Sequence, residues 1–267
     1  MTVVFRYLAG RIIKLGNLLK GPFYVLHWIA PNLRFSIPHR SAPLVRGRSG
    51  HKIPKIIWQT NYTDRVTLAV YVNYLFNRMM SPTYEYRFML DDGRVAFIKE
   101  NYPQYLATYE KIQLGAARAD LWRLLAIHKF GGAYMDIDAH TVWPLGYIIP
   151  KDVAELYMID RNNRLTNCFF ASVAGNPNLQ TLIERIAQNV ENPQTIRVHE
   201  ITGPGVFEKI LRPLPLPFVS YRITCFQGTF TNQFFQYIDH PQGKYTLTQR
   251  TIGVVKGIEL PPAKKDG

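Results

Sequence analysis

The chain has 267 residues, 47% apolar and 19% charged, enough for one sizeable core, and its two cysteines fit neither a zinc pattern nor a disulfide framework. The net charge of +13 is concentrated at one end: residues 1–63 hold ten Lys or Arg and no acid, whereas the remaining 204 hold 22 basic and 19 acidic side chains. That distribution argues against a nucleic-acid enzyme, whose positive charge belongs on the folded body that grips phosphates, and toward an anionic membrane surface met by the N-terminal segment.

No uninterrupted apolar run is long enough to cross a bilayer; the best stretch, Pro22 to Leu33, has 12 residues and includes His27. No cleavage site follows a compact apolar stretch, so a secretory signal is not expected. Cys168 and Cys225 read as reduced, packed thiols, with a single disulfide between them as the alternative.

In chain order, residues 2–20 read as a helix with the apolar stripe Val4, Leu8, Ile12, Leu15 and Leu19, and with Arg6, Arg11, Lys14 and Lys20 off it. Such a basic amphipathic helix either lies in a membrane interface or packs on the body. Residues 21–52, rich in Pro, Arg, Ser and Gly, read as a tether, which divides the chain into an N-terminal segment over 1–50 and a compact domain over 51–267. Lys55 to Thr60 is the expected first buried strand and residues 64–80 a helix. Tyr84 to Leu90 alternates as a second strand, ending at an Asp91-Asp92-Gly93 turn, and Val95 to Tyr102 is a short helix. Leu114 to Phe130 carries strong helix formers and stops at Gly131-Gly132, and Ala133 to Asp138 follows as a strand. This alternation predicts an α/β fold with a mostly parallel sheet flanked by helices.

The chemistry centres on Asp136 and Asp138. Two residues apart on a strand, their carboxylates share one face at the strand's end, where ligands of open α/β sheets bind. Adjacent carboxylates call for a cation, and hard oxygen ligands suit Mg²⁺ or Mn²⁺, which commonly completes its shell with diphosphate oxygens. On the preceding helix Asp120 and Arg123 form an i, i+3 pair on one face.

The run Ala119-Asp120-Leu121-Trp122-Arg123, then Gly131-Gly132-Ala133-Tyr134-Met135-Asp136-Ile137-Asp138, resembles the sugar-binding region with a DXD motif of glycosyltransferase family 32. The resemblance is strong over 53–145 and thin elsewhere. It implies a GT-A (Rossmann-like) fold, a nucleotide-sugar donor, a divalent cation and retention of anomeric configuration. It implies that Asp136 meets the donor's ribose and sugar side, that Asp138 binds the metal with Asp136 beside it, and that Asp120 and Arg123 hold sugar hydroxyls and diphosphate. Trp58 resembles the aromatic that stacks on the base, Arg118 adds positive charge near the phosphates, and Tyr134 and Asn167 belong with the donor-binding residues. His240 falls where relatives carry a late His-rich segment and is the expected further metal ligand, although the Ser-x-Trp that usually follows is missing. Thr202-Gly203-Pro204-Gly205 resembles a Thr-Gly-Pro loop of the family. Read from the residues alone, Asp120 with Arg123 is equally a helix-surface ion pair, Trp58 a core aromatic, Gly131-Gly132 a helix cap and His240 a structural histidine.

The resulting expectation is a retaining, Mn²⁺- or Mg²⁺-dependent transferase that moves a hexose or hexosamine from a UDP- or GDP-sugar to a hydroxyl of a glycan or glycolipid in cell-surface polysaccharide synthesis. It is expected to be cytoplasmic and peripheral at the inner face of an anionic membrane, with no nucleic-acid partner. The alternative is a non-catalytic nucleotide-sugar or glycan-binding protein of the same fold.

Overall fold

The computed structural model describes residues 2–47, 50–249 and 251–257. Its strands are β1 (Phe35–Ser36), β2 (Arg40–Ser41), β3 (Ile56–Thr60), β4 (Arg65–Val66), β5 (Glu85–Met89), β6 (Gly132–Met135), β7 (Ala139–Thr141), β8 (Glu155–Ile159), β9 (Leu165–Ser172), β10 (Phe218–Ser220) and β11 (Cys225–Gln227). The helices are α1 (Thr2–Ile29), α2 (Leu68–Met80), α3 (Asp91–Asn101), α4 (Leu106–Lys111), α5 (Gly115–Phe130), α6 (Leu145–Ile148), α7 (Pro177–Glu191), α8 (Val198–Ile201), α9 (Pro204–Leu211), α10 (Gln233–Tyr237) and α11 (Tyr245–Thr248).

Seven strands form the central sheet in the order β10-β8-β9-β6-β3-β5-β2. The expected α/β sheet flanked by helices is present, and the sheet is mixed. β3 pairs parallel with β5 and β6, and β10 parallel with β8, whereas β9 runs antiparallel to both β6 and β8 and β2 antiparallel to β5. β8 and β9 are joined by a connection too short for a crossover helix, which makes that pair antiparallel.

Alternation along the strands sends side chains into two cores. Trp58, Tyr134 and Phe170 join Trp122, Leu125 and Leu182 beneath α5 and α7, while Ile57, Met135 and Phe169 join Val70, Phe88 and Phe235 on the other face. Each large side chain buried this completely contributes about 1.5–3 kcal/mol. Gly131 and Gly132 are needed where α5 turns into β6: both have positive φ, +67° and +109°, and a Cβ on Gly132 would stand 2.6 Å from the Ile56 carbonyl oxygen.

Four boundaries differ from expectation. α3 already begins at Asp91, so Asp91-Asp92-Gly93 is its first turn, with two carboxylates at the positive end of the helix dipole. β6 ends at Met135, so Asp136 and Asp138 lie in the turn between β6 and β7 and not on the strand. The tether is partly ordered: β2 edges the main sheet and β1 pairs with β4. Finally, α1 continues to Ile29 through Pro22, and it docks on the body. Phe23 is in the core, Tyr24 packs at a tilt against Phe234 and Phe235, and Gly16 lies against Thr229 and Phe230. The docked side is therefore rotated from the expected stripe: Ala9, Gly16 and Phe23 are buried and Leu15 is exposed. The Val4 and Arg6 side chains lie outside the described residues.

Candidate active site

The C-terminal ends of β3, β5 and β6 open onto a cleft of about 1040 Å³. Asp120, Arg123, Tyr134, Asp136, Asp138, Asn167 and His240 all line it.

Arg123 is the hub. It and Asp120 are each only 5% exposed, which removes the surface-pair reading. Its guanidinium sits 2.9 Å from Asp120 and 3.0 Å from Asp136. It also donates to the carbonyl oxygens of Ala119 and Asn167 and lies 4.2 Å over the Tyr134 ring. Two further donors complete Asp120: Asn167 Nδ2 at 2.8 Å and the Thr202 hydroxyl at 2.9 Å. Burial pushes the Asp120 carboxyl up to about 6, against the pull of Arg123, Thr202 and Asn167. Arg123 has the opposite balance: burial works against its charge, and the acidic groups around it hold its pKa above the ordinary arginine value.

Asp136 accepts from the Tyr134 hydroxyl at 2.7 Å and from Gln227 Nε2 at 3.0 Å. The same Gln227 amide donates to Asp138 at 3.1 Å. One carboxamide thus bridges the two carboxylates, and it reaches them because β11 pairs antiparallel with β7, placing Gln227 opposite Ala139. Burial, and then the neighbouring Asp136 charge, push Asp138 up to about 7.

The turn itself is held from below by amides. Gln59 Nε2 donates to the Asp136 carbonyl, Asn73 Nδ2 to those of Ile137 and Ala139, and Asn77 Nδ2 to that of Ala139. Tyr86 fixes Gln59 in turn by donating to its Oε1 at 2.9 Å. A buried amide left without partners costs about 1–3 kcal/mol, so these contacts fix one turn geometry.

Three carboxylates share this wall with one arginine, which contacts Asp120 and Asp136 while Asp138 is tied to Asp136 through Gln227, so the site is short of positive charge. Hard oxygen donors in that state fit a divalent cation such as Mn²⁺ or Mg²⁺, held by Asp138 and Asp136. Gln227 offers a carbonyl oxygen to the same point once its amide turns over. His240 lines the same cleft with its ring 5.1 Å from that of Tyr62, and no three His, Cys, Asp or Glu side chains converge on a common point among the described residues.

Two expected donor residues do not face the cleft. Trp58 is 2% exposed, donates Nε1 to the Gly131 carbonyl and packs edge-on against Trp122. The pleat of β3 turns it toward the helices and away from the cleft. Arg118 bends back to the Ile112 carbonyl and the Tyr109 ring. In their place the cleft offers Tyr62, two residues beyond the end of β3 and stacked on Tyr237, and Arg94 in the first turns of α3. Arg94 is buried, pairs with Asp91 and has a buried Nε without a partner. Tyr62 and Gln227 are not legible in the sequence because they depend on a loop and on a strand pairing across the chain, and Arg94 because α3 begins at Asp91, in place of the expected turn.

Cys168 and Cys225 are both free and buried. No described helix is long and apolar enough to cross a membrane.

Residues 69–155 match the family described as "Glycosyltransferase sugar-binding region containing DXD motif". The chain is 27% identical over 212 residues to "Inositol phosphoceramide mannosyltransferase 2" of Schizosaccharomyces pombe, an alignment covering 73% of this chain and 60% of that protein. It is 35% identical over 86 residues to "Mannosyl phosphorylinositol ceramide synthase SUR1" of Saccharomyces cerevisiae, covering 32% of this chain and 22% of that one. The chain therefore spans less than two thirds of the length of these curated relatives. Among solved structures, "PaToxG Glycosyltransferase" aligns over 80% of this chain and 81% of its own at 16% identity and a TM-score of 0.47. The match encloses α5, both glycines and the Asp136–Asp138 turn, so the residues around the candidate site lie within the stretch that is similar to that family.

Proposed function

We propose that the protein is a retaining, divalent-cation-dependent glycosyltransferase that moves a hexose or hexosamine from a UDP- or GDP-sugar to a hydroxyl of a glycan or glycolipid. The observation that carries this reading is the arrangement Asp120–Arg123–Asp136–Gln227–Asp138 at the wall of one cleft. One yeast relative is named an inositol phosphoceramide mannosyltransferase and the other a mannosyl phosphorylinositol ceramide synthase, which favours mannose as the hexose and a lipid-linked acceptor. Such an acceptor also suits work at a membrane face, and cell-surface polysaccharide or glycolipid synthesis is the role we assign.

When bound, the cation supplies positive charge beside the departing diphosphate. The chain's own groups do the rest. Arg123 keeps a fixed charge at the same place, its approach set by Asp120 and Asp136 and its plane by Tyr134. To Asp136 and Asn167, both on the cleft wall, we assign the contacts with donor hydroxyls. Tyr62 and Arg94, just beyond the ends of β3 and β5, line the wall against which the nucleoside would lie, Tyr62 by stacking and Arg94 as buried positive charge behind it. The acceptor oxygen bonds to the anomeric carbon on the face the diphosphate leaves. The carbon–oxygen bond to the diphosphate breaks, and the acceptor proton passes to the leaving phosphate oxygen. No protein nucleophile is required. The test is a screen of UDP- and GDP-sugars, mannose donors among them, read as nucleotide released with and without a lipid-linked acceptor. Binding of a nucleotide sugar without release under any condition would leave a binding protein instead.

A further inference from the structure

α1 has two unlike sides. The side toward the body carries Gly16, Lys20 and Phe23, with Lys20 Nζ donating to the Gly228 carbonyl at 2.8 Å. The opposite side is not covered by the protein. Spaced i, i+4, i+7 and i+11, Leu18, Pro22, Val25 and Ile29 are all exposed along one line, with Leu15 and Trp28 flanking it. Leu18 is 73% and Trp28 83% exposed. At 1.5 Å per residue the apolar stretch from Leu15 to Ile29 is about 21 Å long. The same line continues toward the N-terminus as Arg11 and Lys14, both exposed, Arg11 held over Tyr7.

We infer that this outer face of α1 is an interfacial anchor that seats the protein on an anionic bilayer, its apolar half among the acyl chains and Arg11 and Lys14 at the headgroups. Charge selects the occupant. Residues 1–63 contain ten basic side chains and no acid, so nothing on this segment repels an anionic surface. A tryptophan exposed at the end of an apolar helical face, with cations at the other end, is the arrangement of a helix lying in the plane of an interface. The length and pattern suffice for reversible attachment and not for crossing.

The anchor is also one layer from the cleft. The segment that α1 docks on, from Gly228 through Tyr237, contributes Gly228, Asn232, Gln233 and Tyr237 to the cleft wall, and Tyr24 of α1 accepts from Asn232 at 2.8 Å. A bilayer under α1 would therefore bring headgroup-level hydroxyls close to the cleft, which deepens the lipid-linked reading of the acceptor without depending on it.

The experiment is flotation of the full chain with phosphatidylcholine vesicles, with and without a phosphatidylglycerol fraction, at low and high salt, with tryptophan emission recorded in parallel. The expected result is binding to anionic vesicles that weakens with salt, with a blue shift that Trp28→Phe removes. Leu18→Asp/Val25→Asp should weaken vesicle affinity at least about tenfold, while circular dichroism and cation-dependent nucleotide release in solution stay as in the wild type. Equal vesicle binding by the double variant would overturn the inference. So would light scattering that shows a dimer dissolved by the same two substitutions with no vesicle binding. Loss of donor turnover with intact vesicle binding would instead refute the proposed reaction and leave the anchor standing.

Discussion

Arg123 is where stability and function are least separable. Arg123→Met keeps much of the side-chain volume and removes the charge. The residue is 5% exposed, so its contacts are not discounted by solvent. Two charge-assisted contacts are lost, to Asp120 at 2.9 Å and Asp136 at 3.0 Å, each worth about 1.5–3 kcal/mol. The Ala119 and Asn167 carbonyls lose a donor, and two carboxylates remain without their partner. Removing one member of a buried ion pair costs about 3–5 kcal/mol, and about 4 kcal/mol is the value expected here. For a chain of this size that is a fall in Tm of about 10 °C. Urea unfolding followed by tryptophan fluorescence and far-UV circular dichroism measures it as a shift in midpoint at constant slope. Asp120→Asn removes one of the stranded charges, so the double variant should recover about 1–3 kcal/mol relative to the sum of the two single changes. A loss below about 1 kcal/mol with no coupling would refute the claim that Arg123 is the hub of the site.

Four further outcomes are expected. Gln227→Glu puts a third carboxylate between Asp136 and Asp138; Mn²⁺ affinity should tighten about tenfold or more while the cation-free protein melts at a lower temperature, and unchanged calorimetric binding would contradict the bridging geometry. Asp138, pushed up to about 7, holds a proton that a cation must displace, so Mn²⁺ affinity should rise about tenfold between pH 6 and pH 8. The sign for folding is the reverse: the folded chain keeps that proton where the unfolded chain has lost it, so the cation-free protein loses stability from about pH 4 to 7, and Asp138→Asn flattens the cation profile while leaving the part of the folding slope below about pH 6 that Asp120 contributes. Tyr62→Ala should weaken nucleotide binding about tenfold or more, whereas Trp58→Phe should lower Tm and leave nucleotide affinity in place; the opposite pattern would restore Trp58 to the base.

Much of this site was legible in the sequence because it is local. Asp120 and Arg123 share a helix face, Gly131-Gly132 ends that helix, and Asp136 and Asp138 follow within a few residues, a local run whose resemblance to the DXD region joins them into one site. The α/β alternation was legible for the same reason, since β3, α5 and β6 each announce themselves by composition. What escaped was whatever another part of the chain decides. Trp58 has the residue type of a stacking platform, but the pleat of β3 turns it into the core, while Tyr62 in the following loop faces the cleft. Gln227 is 89 residues from Asp138 and meets it only through the β11–β7 pairing. The polarity of α1 was legible as basic and apolar, but which side docks is set by Gly16, a gap into which Thr229 and Phe230 fit.

Nucleotide release from UDP- and GDP-sugars, measured for the wild type in EDTA, for the wild type with Mn²⁺ restored, and for Asp138→Asn, tests the central claim most directly. The account predicts turnover with one class of donor, none in EDTA, recovery with Mn²⁺, and a loss of about a hundredfold or more in the variant, or at least about 2.7 kcal/mol of transition-state stabilisation. Full turnover in EDTA, or undiminished turnover by Asp138→Asn, would contradict it.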